Sequence, residues 1–331
     1  MGHLTALFAT RLRHELTVRN RAYARGRAHV ESYGSARVVV YEPEGSCHGN
    51  FYGPAYASIL TRSEWMRRFD KIHAQAARAL PKSERRWREL DSSMSSDALL
   101  MNIFCTPGVA ESSEVRNILG VEEDAEPVFG WKARVPLANG RFDRTEVDLR
   151  FGSLLVEAKL TETGFQSRSA GIIESYRDFD EILYRDRLPH AEIATARWAQ
   201  ASEFPENTSQ EFESVVADPV LFTAVDSSFR LPGEEGYASY QLIRNVLAAH
   251  ASGCSFCVIH DERRPDLREA WFAVMAAVKS AAMRVRLKVL TWQELAALLP
   301  AALQEFLDRK YGIVAPGKTP SPIEEEPDLA D

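Results

Sequence analysis
Cysteine is scarce here and long apolar runs are missing. The four cysteines are Cys47, Cys105, Cys254 and Cys257 in 331 residues, which excludes a disulfide-built scaffold. Cys254 and Cys257 form a Cys-x-x-Cys, but no second ligand pair stands at zinc-site spacing. Their setting, Ser255-Phe256-Cys257-Val258-Ile259, reads as a buried strand with the two thiols on opposite faces. No stretch of about 18 apolar residues occurs, so no membrane-spanning helix is expected. Met1 to Asn20 carries Arg11, Arg13 and Arg19 and no long apolar centre, so no secretory leader is expected either. Reduced thiols and these two absences make the expected location cytoplasmic. There is no glycine-rich phosphate loop of the Walker or dinucleotide kind, which argues against an intrinsic ATPase or a dinucleotide enzyme. It also leaves an enzyme of small phosphoesters without a cradle. His48 lies beside Cys47, but the sequence places no partner that would make a nucleophilic dyad.

A general basic excess is lacking too. The net charge is −7, against a protein coated in positive surface. The distribution is uneven. Pro316 to Asp331 holds five acids and one lysine. Arg11 to Arg27 holds six arginines against one acid, and Arg62 to Arg88 nine basic residues against three acids. Such runs are either solvated helix faces or local phosphate contacts. Trp65, Trp87, Trp131, Trp271 and Trp292 read as core or partly buried anchors rather than base-stacking platforms.

What is present is a chain that is 45% hydrophobic and 26% charged, ordinary for a globular protein. Residues 1–91 read as a largely helical, Arg-rich extension. It has a helix over 1–30, a short strand over 36–41, a loop over 42–55 and a helix over 61–79. From Ser92 the order is a helix over 97–104 and strands over 127–137, 144–150 and 153–159. A helix over 169–185 and an irregular stretch over 202–235 come next. Then come a helix over 237–250, a strand over 255–259, a helix over 265–281, a strand over 286–290 and helices to Tyr311. Residues 314–331, rich in proline and acid, read as a disordered tail. The fold class is mixed α/β, a central mixed sheet flanked by helices over 92–313.

One hairpin carries the chemistry. Glu146 and Asp148 are two residues apart on one strand, and Glu157 and Lys159 on the next, with Gly152-Ser153 between. Side chains alternate along a strand, so each pair shares a face. Antiparallel pairing brings three carboxylates and one ammonium together, while Leu154, Val156 and Ala158 point into a core. That charge density is costly to bury without a cation or substrate. A salt-bridged surface hairpin is the plain alternative.

Asp148 followed by Glu157-Ala158-Lys159, in the order helix, three strands, helix, strand, resembles the PD-(D/E)XK, or restriction-endonuclease-like, nuclease superfamily. The resemblance covers Ser92 to Ile313. Where the family has a proline before the acid, this chain has Val147, with Glu146 before that. The resemblance implies a metal-dependent hydrolase of phosphodiester bonds, with DNA as substrate more than RNA. It implies Mg²⁺, replaceable by Mn²⁺, on Asp148, Glu157 and the Ala158 carbonyl. Lys159 would act on the attacking water, Glu146 in support, and Gln241 from a later helix. Asp97 is the available upstream helix acid. A homodimer is compatible with the family. The rival expectation is a non-catalytic nucleic-acid-binding or protein-interaction module on the same fold. An inactive relative should have lost Asp148, Glu157 or Lys159, and all three are present.

Overall fold
The computed structural model describes residues 2–31, 38–71, 88–144, 146–193 and 234–323. Expectations that rest on 202–233, on Arg78, Lys82, Arg85, Arg86 and Trp87, or on the acids after Ile323 lie outside the described residues.

Val, Ile, Leu and Phe dominate five strands that form the central sheet. They are β1 (Pro127–Lys132), β2 (Glu146–Phe151), β3 (Leu154–Ala158), β4 (Ser255–His260) and β5 (Leu287–Thr291). The spatial order is β5-β4-β3-β2-β1. β3, β4 and β5 run parallel, whereas β1, β2 and β3 are antiparallel neighbours. The sheet is therefore mixed, as expected. Every residue of β3 is buried, as in strands covered on both faces.

Six helices matter to the site: α1 (Gly2–Ala24), α2 (Ser63–Phe69), α3 (Ser96–Phe104), α4 (Tyr240–Ser252), α5 (Pro265–Ala276) and α6 (Ala301–Tyr311). On one face Leu149, Phe151, Leu154 and Val156 pack with Leu99, Ile103 and Phe104 of α3. On the other, Leu155, Phe256 and Val258 pack with Val246 of α4 and Trp271 of α5. Each such large side chain contributes about 1.5–3 kcal/mol when fully buried. Cys257 joins the first cluster and Cys254 the second, on opposite faces.

The N-terminal segment is packed into this body. Leu12 and Leu16 of α1 share the first cluster with Leu303 and Leu307 of α6. Arg19 donates to the Asp308 carbonyl at 3.1 Å, and the buried Lys310 amine donates to Asn20 Oδ1 at 2.7 Å. Residues 314–323 have no helix or strand, but Ser321 Oγ donates to Asp308 at 2.6 Å.

Several elements differ from expectation. Of the helix expected over 61–79, the described residues form α2, preceded by a separate helix Gly53–Thr61 because Arg62 between them is extended, and residues 72–79 lie outside the described residues. The helix expected over 169–185 is two short turns, Ala170–Ile173 and Phe179–Ile182. Between them Tyr176 bridges to Leu137, and the Ser175 carbonyl accepts from Ala138 N–H, so tertiary pairing breaks the helix. Glu234 and Glu235, expected to be irregular, and Tyr237 and Ala238, expected to open a helix, instead form one strand, Glu234–Ala238, that pairs with Ser167–Ser169 and His190–Ile193 in a small antiparallel sheet. Those partners are distant in sequence, and no local pattern announces them.

Candidate active site
The hairpin folds as its alternation demands. Gly152, at φ 57°, opens the two-residue turn, and the register sets Phe151 against Leu154 and Leu149 against Val156. Continuing that register places Asp148 opposite Glu157. There the ladder opens. β3 stays with β4, through Lys159 N–H donating to the Ile259 carbonyl at 2.9 Å. The Ala158 N–H donates to Asp148 Oδ2 at 2.7 Å, so a side-chain oxygen replaces a main-chain partner. The wedge between β2 and β3, at the carboxyl end of the parallel strands, is where the charged groups collect.

Glu157 and Lys159 are buried together. The Lys159 amine donates to Glu157 Oε1 at 2.7 Å. Asn245, on α4, donates to Glu157 Oε2 at 2.7 Å. Burial works against the charge on Lys159, but Glu157, Glu162 and Asp148 outweigh it and hold the ammonium charged. The Asp148 carboxyl is pushed well above the usual range, first by burial and then by Glu157 and Asp97. The expected convergence of Asp148, Glu157 and Lys159 is therefore present as geometry and as mutual electrostatics.

Asp97 stands in the first turn of α3, which Ser95 caps by accepting from Ala98 N–H at 3.1 Å. Burial raises its carboxyl to about 6, against the pull of Arg68. Arg68 of α2 bonds Asp97 and also Glu146, the latter at 2.7 Å. Lys71, just past α2, reaches the same Glu146 oxygen at 2.7 Å. For Glu146 burial works upward, but Lys71 and Arg68 outweigh it and the carboxyl lies below its ordinary value. The sequence flagged Arg68 and Lys71 only within a basic run; that both reach the acids is a long-range fact.

Gln241 forms no side-chain hydrogen bond among the described residues, although its N–H donates to the Phe165 carbonyl at 3.0 Å. Asn245, one turn further on α4, is the residue that reaches Glu157. The i, i+4 spacing puts both on one helix face, which is the signal that could have found it.

The backbone after Lys159 is braced from outside. Trp292 Nε1 donates to the Lys159 carbonyl at 2.9 Å. The buried Arg264 donates to the Leu160 and Glu162 carbonyls at 3.2 and 2.8 Å. Glu162 in turn accepts from Ser96 Oγ at 2.6 Å, tying the start of α3 to this loop. Trp65, Trp271 and Trp292 are buried anchors, as expected. His48 lies apart. It is buried, bonds Asp91 at 3.1 Å, and is kept neutral by burial, while Cys47 is exposed.

The residues fit a hard divalent cation. Asp148 and Glu157 are oxygen donors crowded enough to repel, and Asp148 Oδ1 accepts no hydrogen bond among the described residues. No trio of His, Cys, Asp and Glu side chains forms a ready cage among the described residues. Mg²⁺ does not require one, since one or two carboxylates with water and substrate oxygens satisfy it. Among the described residues no helix is long and apolar enough to cross a membrane.

Comparison with curated proteins and with solved structures finds no match. A family match spans residues 18–312, taking in α2, the hairpin and α4 alike. The chain thus belongs to the family described as restriction endonuclease associating with ARP.

Proposed function
We propose that this protein is a metal-dependent nuclease of the PD-(D/E)XK type that hydrolyses phosphodiester bonds in DNA. The observation that carries the reading is the meeting of Asp148, Glu157 and a buried, charged Lys159 where β2 and β3 part. Asp148 and Glu157, with the Ala158 carbonyl, are the residues that would hold Mg²⁺ or Mn²⁺. When bound, the ion supplies Lewis acidity and a lowered water pKa. Asp148 must give up its proton to serve as a ligand, so its raised pKa makes loading favour higher pH. Lys159, kept charged, donates to the attacking water or to a phosphate oxygen and balances developing negative charge. Asn245 fixes the Glu157 carboxylate from behind. Arg68 keeps Asp97 and Glu146 paired and so limits repulsion around Asp148.

The test is single-turnover cleavage of plasmid and linear DNA with Mg²⁺ or Mn²⁺. Asp148→Ala and Glu157→Ala should each abolish it, and Lys159→Ala should abolish it while sparing metal binding. Parent-like cleavage by either carboxylate variant would remove the assignment. One observation favours a second reading, a non-catalytic binding module. Both Glu157 oxygens are already engaged by protein donors. DNA binding by a parent protein that cleaves neither DNA nor RNA would select that reading.

A further inference from the structure
Arg68 and Lys71 come from one turn of the N-terminal segment, yet they are placed very differently. Arg68 is 8% exposed and committed to Asp97 and Glu146. Its guanidinium lies against Gly130, where an added Cβ would stand 3.2 Å from Arg68 Nη1. Lys71 has 39% of its side chain exposed and reaches Glu146 from the open side, with Glu89 at 3.4 Å. Across the β1–β2 register Lys132 is the partner of Glu146, and Lys132 is exposed. Lys71 thus meets Glu146 at the rim of the cluster, with the exposed Lys132 as the cross-strand neighbour of that acid. A partly exposed pair of this kind is worth only about 0–1 kcal/mol, so exchanging its carboxylate for another anion costs little.

We propose that Lys71 is a phosphate contact of the nucleic-acid face, held in place by Glu146 until DNA arrives, with Arg68 as the residue that positions Glu146. The proposal rests on the nuclease reading above and extends it to the substrate backbone. A phosphate oxygen replaces Glu146 Oε1 as the acceptor for the Lys71 amine. Glu146 remains on Arg68, so Asp97 stays paired. The phosphate held there lies beside the Asp148–Glu157 wedge, which registers the neighbouring phosphodiester on the site.

The experiment uses the full chain, a short labelled DNA duplex and EDTA, with affinity measured over a range of salt. Lys71→Ala should lower the slope of log affinity against log salt by about 0.9, the signature of one lost phosphate contact. Lys71→Arg should keep the parent slope. Glu146→Gln should bind DNA more tightly than the parent, because the competing carboxylate is gone; a merely structural ion pair predicts no gain. A parent that cleaves DNA, beside a Lys71→Ala variant with the parent slope, overturns the proposal and leaves the nuclease reading standing. A parent that neither binds nor cleaves DNA overturns both.

Discussion

At Asp148 burial and two neighbouring acids disfavour the charged form, and the carboxyl lies well above its ordinary range. The unfolded chain releases that proton near the reference value of about 3.9. Between the two values the folded state holds a proton that the unfolded state has lost. The stabilising contribution is therefore full below the unfolded value and disappears as pH rises through the folded one. Without divalent cation the melting temperature should fall over that window, and Asp148→Asn should remove this part of the fall. A variant melting curve parallel to the parent across the window would contradict it. The neighbouring acid Glu157 depends on Asn245, whose amide is one of its two donors. Asn245→Ala should reduce single-turnover cleavage more than Gln241→Ala, about 10-fold or more if one charge-assisted hydrogen bond of about 1.5–3 kcal/mol is lost. Equal rates for the two variants would show that the Asn245 amide gives Glu157 no catalytic support.

The hairpin and the strand beside it explain why these side chains meet. β2 and β3 are held by a short turn, so their register was legible from alternation and from Gly152-Ser153. The neighbour β1 was not as simple. Gly130 lies between Phe129 and Trp131, the partners of Leu149 and Val147, with φ 61°, directly across from Asp148. That backbone suits glycine, and Arg68 fills the space a side chain would need. Gly130→Ala should destabilise the fold by about 1–2 kcal/mol from backbone strain alone. It should also loosen the Arg68 pairing with Glu146. Urea denaturation measures the first effect, and a Gly130→Ala protein as stable as the parent would show that β1 adapts without cost. The element-level errors have a common cause. The 169–185 segment has helical residues, but its carbonyls and N–H groups find partners around Leu137, and long-range pairing outweighs propensity there.

For the whole molecule the question is what the N-terminal segment does. Arg13 donates to the Thr161 carbonyl, Arg19 to Asp308 and Ser321, and Arg21 pairs with Glu31. These arginines, and Arg27 on the Tyr23 carbonyl, are thus used in holding the fold. Leu16 is fully buried against α6, so Leu16→Ala should cost about 2–5 kcal/mol, read from equilibrium unfolding. A loss below 1 kcal/mol would mean that α1 is a detachable arm. The amino-acid order by itself determined the mixed α/β class, the antiparallel hairpin and the triple Asp148, Glu157 and Lys159, because these follow from local alternation, a short turn and residue chemistry. It carried no sign that Arg68, Lys71 and Arg264 would surround that triple, and it pointed to Asn245 only through the i, i+4 spacing from Gln241. Those residues lie tens to more than a hundred positions away. Only the packing of α2, α3 and α4 on the sheet decides which of many charged groups share one low-dielectric wedge.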